Sequence, residues 1–161
     1  MQHCKQNPTS LWLLACAVVL LMLFPEAGKA RPVRFLTDPI SGYALGGIDP
    51  VSYFVFGEER RGRSELEYQW QGTRWIFMNE GNRAAFARDP EVYAPQFAGC
   101  GAYALSQGSA SEGNPAIYAM VDGRIYFFHS VVNRFLFLIG GNTQIHAAQD
   151  NSVKLGCVSK R

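Results

Sequence analysis

Histidine and cysteine are scarce in this chain, three and four among 161 residues. That scarcity excludes most metal and thiol chemistry at the outset. There is no Cys-x-x-Cys, so a thioredoxin-like dithiol is not indicated. There is no His-Glu-x-x-His and no phosphate loop. No Gly-x-Ser-x-Gly elbow frames a serine nucleophile. An excess of one charge is missing too, since the formal net charge is +2. The short cluster Arg60-Arg61-x-Arg63 follows Glu58-Glu59 and reads as a solvated loop, so no nucleic-acid partner is expected. Glu65 and Glu67 share one face of a strand by the period of two. Like charges side by side can raise a pKa, but an exposed hairpin edge is the simpler account. No catalytic constellation stands out, and a non-enzymatic role is expected.

Long hydrophobic runs are also rare. The longest is Leu11 to Phe24, an unbroken 14 residues behind the basic Lys5. Such a helix rises about 21 Å, short of the ~30 Å hydrocarbon core. Gly28-Lys29-Ala30 sets small residues three and one before a cut at Arg31. Residues 1–30 therefore read as a secretory signal, and the protein is expected to be exported, periplasmic or extracellular, with no permanent membrane span after cleavage. Leu13-Leu14-Ala15-Cys16 imitates a lipoprotein box, but a lipobox should end the apolar run, and eight apolar residues follow Cys16.

Export changes the meaning of the cysteines. Cys4 and Cys16 leave with the signal, and Cys100 and Cys157 remain. Two cysteines in an oxidising compartment are usually bonded to each other. Closing so long a loop would stabilise the fold by roughly 4 kcal/mol in the chain-entropy model. The alternative is that both thiols are free to serve a site.

Residues 31–161 suit one domain with one modest core. Residues 31–44 read as a leader or linker, with Pro32 and Pro39, and 45–161 as the domain. Val51 to Phe56 is a short strand or the start of a helical turn. Two hairpins follow. Leu66 to Trp70 and Thr73 to Met78 flank Gln71-Gly72; Ile117 to Val121 and Arg124 to Phe128 flank Asp122-Gly123. Asp-Gly favours a two-residue turn with positive φ at both central positions, and Gln-Gly is a weaker form of the same signal. Each hairpin leads into a helix. Glu80 to Arg88 stops at Asp89-Pro90, because proline disfavours helix at the residue before it. Ser130 can cap Val131 to Ile139, which Gly140-Gly141 ends. A further helix runs from about Thr143 to Gln149. Shifting the first unit by 51 positions lays Gly72, Asn82, Arg83 and Phe86 on Gly123, Asn133, Arg134 and Phe137. The expected fold is thus α+β: a small single domain of two antiparallel hairpins, each followed by a short helix, with an internal duplication.

Four segments carry a family likeness: Asp49-Pro50-Val51-Ser52-Tyr53-Phe54; Trp75-Ile76-Phe77-Met78-Asn79-x-x-Asn82-Arg83-x-x-Phe86; Asp89-Pro90-x-x-Tyr93-Ala94-Pro95-Gln96-Phe97; and Cys100-Gly101-Ala102-Tyr103-Ala104-Leu105-Ser106-Gln107-Gly108. In this order and spacing the chain closely resembles the YHS domain in its exported bacterial form, over residues 45–130. The resemblance implies a metal-linked module, holding a transition metal such as copper or zinc. Metal-associated relatives carry cysteines at positions matching Ser52, Met78 and Asn82, where paired thiolates would face one cation. All three thiolates are absent here. Met78 retains a thioether for Cu(I), though one soft ligand binds weakly. In the second unit the matching positions are His129, Ser130 and Asn133. His129 follows an aromatic strand, and its imidazole suits either ligation or proton transfer. The other histidine after the signal is His146, on an amphipathic helix.

Two main readings stay open. One is a metal- or small-ligand-binding accessory module, with Cys100, His129 and Met78 as metal residues and Tyr103 and Ser106 facing a ligand. The other is a structural or protein-interaction domain stapled by Cys100 and Cys157, in which Phe135-Leu136-Phe137-Leu138-Ile139, apolar all round, faces a partner or a second copy. A thiol redox role at Cys100, suggested by selenoprotein relatives, is a third and lacks a resolving thiol.

Overall fold

The computed structural model describes residues 35–158. The signal expected at residues 1–30, with Cys4 and Cys16, lies outside the described residues. Five helices and two hairpins follow one another as helix α1 (Ser52–Val55), strands β1 (Arg63–Trp70) and β2 (Thr73–Phe77), helices α2 (Glu80–Arg88), α3 (Pro90–Tyr93) and α4 (Ala102–Ser106), strands β3 (Asn114–Val121) and β4 (Arg124–Phe128), and helix α5 (Val131–Leu155). Each sheet is a two-stranded antiparallel ribbon. A small α+β domain with hairpin-plus-helix units is the architecture the sequence pattern implies.

The duplication extends well beyond the four shared residues. Tyr68 pairs with Trp75 and Trp70 with Thr73; 51 residues later, Ala119 pairs with Tyr126 and Val121 with Arg124. Both ladders carry an irregularity at the same place, between Arg63 and Glu67 and between Asn114 and Tyr118. Both turns hold two residues at positive φ, Gln71 (48°) with Gly72 (73°) and Asp122 (50°) with Gly123 (69°). That geometry matches the twist of the flanking strands. Ahead of each hairpin sits a tight turn in which three successive residues adopt positive φ: Leu45, Gly46 and Gly47, then Phe97, Ala98 and Gly99. Gly47 and Gly99 both accept at their carbonyls, from the amides of Gly62 (2.9 Å) and Gly113 (3.0 Å).

The helices begin alike. Asn79 accepts from the Asn82 amide at 2.8 Å, and Ser130 from the Asn133 amide at 3.1 Å. Each side-chain oxygen satisfies one of the amides that a helix start leaves without a partner.

Two aromatic cores result. Trp75, Phe77 and Phe86 anchor one, with Phe35, Leu45, Val51 and Tyr53 around them. Tyr126, Phe128 and Phe137 anchor the other, with Phe97, Leu105 and Ala148. Strand alternation joins them: Ile125 and Phe127 of β4 point into the first core, while Tyr126 and Phe128 point into the second. A strand buried on both faces must be apolar at every position, and Ile125 to Phe128 is.

Some boundaries differ from the sequence reading. Residues 31–44 were expected as a leader, yet Phe35 is buried in the first core and Leu36 donates its amide to Ala98 at 3.0 Å. Val51 to Phe56 resolves as a short helix. The expected break at Gly140-Gly141 is present, at Gly141 (φ 53°, ψ −136°), but the helix beyond it runs to Leu155 and not to Gln149. Beyond that kink the helix lies along α4, where Asn151 donates to the Leu105 carbonyl at 2.9 Å. The first unit has no such extension. Helix α5 ends at Gly156 in the left-handed region, and the Cys157 amide donates to the Ser152 carbonyl at 2.9 Å.

Candidate functional site

Cys100 and Cys157 form a disulfide, with Cα atoms 6.0 Å apart across a separation of 57 residues. Of the two expectations for Cys100, a bond to Cys157 and a metal ligand, the structure has the first. The Cys100 sulfur is bonded, and no free thiolate remains there for ligation or redox attack. The bond ties the start of α4 to the end of α5, both within the second core.

Ser52, Met78 and Asn82, the positions where the resemblance led to an expectation of cysteines in relatives, do come together in space. What they surround is the Asp49 carboxylate, which is fully buried (0% exposed). Oδ1 accepts from the Val51 amide at 2.9 Å. Oδ2 accepts from the Met78 amide at 2.9 Å and from the Asn82 carboxamide at 2.7 Å. Ser52 Oγ donates to the Asp49 carbonyl at 2.7 Å and accepts from the Arg60 amide at 3.0 Å. A buried carboxylate that receives three donors is satisfied. The site is therefore a carboxylate-centred knot joining α1, the end of β2 and the start of α2. Sequence reading quoted Asp49-Pro50 as a family signature and did not assign Asp49 a role.

The other sequence candidates are dispersed. His129 is exposed at the end of β4, and His146 is exposed on the far part of α5. Tyr103 and Ser106 are half-buried on α4, where Ser106 Oγ donates to the Tyr103 backbone carbonyl at 2.7 Å. Among the described residues there is no group of three His, Cys, Asp or Glu side chains placed to hold a metal ion. Glu65 is exposed, and Glu67 lies 3.8 Å from Arg74 across the hairpin.

Two titrating groups are shifted. Hydrogen bonds from Ser41, through its amide and hydroxyl, hold the Asp38 carboxyl below the usual range. Burial pushes the Tyr53 phenol far up, with the charge of Glu59 adding to it. Its hydroxyl donates to the Pro115 carbonyl at 2.9 Å and so fastens the first unit to the second.

One surface is unusual. Val131, Val132, Phe135, Leu138 and Ile139 are all exposed, Phe135 at 62%. Their spacing of one, four, seven and eight residues places them along one side of α5. Buried Phe137, on the opposite side, holds that helix to the second core. Fifty-one residues earlier the same positions of α2 are Glu80, Gly81, Ala84, Ala87 and Arg88. The duplication thus supplies its own comparison: equal backbone, with a polar or small face in one copy and an apolar face in the other. No helix among the described residues is long and apolar enough to cross a membrane. Comparison with known proteins finds no matching family model, no matching curated protein and no matching solved structure.

Proposed function

We propose that this chain is an exported domain of the YHS type that acts as a disulfide-stapled protein-interaction module, with the apolar side of α5 as its binding surface. The observation that carries this reading is the contrast between the equivalent helix faces. Five large apolar side chains exposed together are costly to leave in water, at roughly 25 cal/mol per Å², and such patches mark interaction sites. Nothing in the fold requires them, since α2 occupies the same place with Glu80 and Arg88 outward. The engagement of Cys100 by Cys157 weighs in the same direction, because it withdraws the residue on which a metal reading depended most. The partner to test first is a second copy. Two such stripes can pack on each other about a twofold axis, each presenting the same residues to the other.

Sedimentation velocity of the oxidised protein across a hundredfold concentration range tests this. A reversible dimer is expected, abolished by Phe135→Asp and unaffected by Ala84→Asp at the equivalent position. Both substitutions are at solvent-exposed sites and should change stability by only about 0.5 kcal/mol. A monomer at every concentration overturns the self-association reading.

A further inference from the structure

A cavity of about 160 Å³ lies between the segment that leads into the first hairpin and the second unit. Leu36, Asp38 and Leu45 line it from the first side, and Gly99, Glu112 and Phe127 from the second. Leu45 and Phe127 are buried (5% and 1% exposed), so the cavity has an apolar floor. Its walls are fixed to each other by hydrogen bonds. The Leu36 amide donates to the Ala98 carbonyl, and the Gly113 amide to the Gly99 carbonyl, each at 3.0 Å. Pro115, also in the lining, is held through its carbonyl by the Tyr53 hydroxyl at 2.9 Å. A preformed, largely apolar pocket with a few polar groups is the usual form of a small-ligand site.

The ionisable side chains of this lining are Asp38 and Glu112, and no lysine, arginine or histidine lines it. Asp38 is anchored through one oxygen. Its Oδ1 accepts from the Ile40 amide at 3.1 Å, the Ser41 amide at 2.7 Å and the Ser41 hydroxyl at 2.8 Å. Oδ2 and the Glu112 carboxyl have no hydrogen-bond or ion-pair partner among the described residues. Arg61 acts on Asp38 through space but does not line the cavity. The duplication shows that the fold does not require an acid at Glu112. In the first unit the Asp49 amide donates to the Arg60 carbonyl, and in the second the Gly101 amide donates to the Ser111 carbonyl, both at 2.8 Å. The next residue is Arg61 in one, bridged to Ile48, and Glu112 in the other, bridged to Cys100. One backbone position thus carries a cation in the first unit and an acid in the second, and the acid lines the cavity.

We infer that this cavity binds an alkylammonium group, with Asp38 Oδ2 and the Glu112 carboxyl accepting from the ammonium and Leu36, Leu45 and Phe127 packing on its methylenes. An ammonium has three donors and no acceptor, which matches a lining whose uncommitted ionisable groups are acceptors. The volume equals that of roughly five waters at ~30 Å³ each, room for a chain of about three to five carbons and no larger body. A free small amine and a lysine side chain of another protein share this chemistry.

Amide NMR of the oxidised protein, titrated with n-butylammonium chloride against sodium chloride at matched ionic strength, tests the inference. Saturable shifts are expected at Asp38, Gly46, Gly99 and Gly113, with none at the turn glycines Gly72 and Gly123. The neutral n-butanol, which matches the body without the charge, should bind more weakly. Asp38→Asn keeps the acceptor that Ile40 and Ser41 use. That variant and Glu112→Gln should each weaken butylammonium about fivefold, the equivalent of ~1 kcal/mol for a partly exposed pair. Glu91→Gln, an acid outside the cavity, should leave the affinity unchanged. An Ala-Lys-Ala tripeptide blocked at both ends separates the sources. Tighter binding than butylammonium assigns the site to a lysine side chain, and equal or weaker binding assigns it to a free amine. The absence of saturable shifts overturns the inference, as does n-butanol binding as tightly as butylammonium, or an affinity unaltered in both Asp38→Asn and Glu112→Gln. No residue of α5 lines the cavity, so this reading and the dimer reading fail separately.

Discussion

Asp49 holds more of the first unit together than any other polar residue described. It joins three pieces of chain, and its partners Met78 and Asn82 are 29 and 33 residues away in sequence. Asp49→Ala would leave two amides and one carboxamide without an acceptor in a closed site. Charge-assisted bonds contribute about 1.5–3 kcal/mol, and an abandoned buried donor costs 1–3. Urea unfolding should show a loss of about 3 kcal/mol, and a loss below 1 would mean that the knot does not hold the fold. The residue also shows where sequence reading stops. Gln71-Gly72, Asp122-Gly123, Ser130 and Asp89-Pro90 act on neighbours two to four residues away, and their roles follow from local geometry. Asp49 acts across long loops. Its partners at Met78 and Asn82 are recognisable only once the hairpin has brought them back.

At the scale of elements, the two hairpin units were legible because each repeats a short-range code: turn glycine, aromatic strand, cap, buried phenylalanine. The break at Gly140-Gly141 was legible too, since Gly141 leaves the helical region (φ 53°, ψ −136°) where glycine allows it; what was not legible is that the helix beyond it runs on to Leu155. The disulfide at its end could be anticipated from cysteine count and export, whereas its exclusion of a metal at Cys100 needed the geometry. A pair of glycines that the sequence did not single out is diagnostic of the repeat. A Cβ on Gly62 would lie 2.5 Å from the Ile76 backbone, and one on Gly113 would lie 2.5 Å from Phe127 Cβ. Ile76 and Phe127 are themselves 51 residues apart. Both approaches are impossible contacts, so the hairpin arms must part. Gly62→Ala and Gly113→Ala should each destabilise by about 2–3 kcal/mol, within the range of overpacking, as measured by thermal unfolding. An alanine tolerated at either position would show that the arm there has room to move.

For the whole molecule, the two cores share β4 and are fastened to each other by Tyr53 and Pro115, so they are expected to unfold together. The staple belongs to the second core alone. Replacing both cysteines by serine should cost 2–5 kcal/mol. Hydrogen exchange should register the loss first in α4 and in α5 beyond Gly141, the elements that the bond ties. Uniform loss of protection across both hairpins would instead mean that the bond supports the entire fold and not one corner of it.

The paired architecture has a consequence for what the chain can tolerate. In the first unit, closure depends on the hydrogen bonds that one buried carboxylate accepts. In the second, closure depends on a sulfur–sulfur bond and therefore on the redox state of the surroundings. With its corner secured covalently at Cys100, the second copy keeps its shape with glycine, Gly101, in the place of the aspartate. The disulfide thus does for one half of the duplicated fold what a buried carboxylate does for the other.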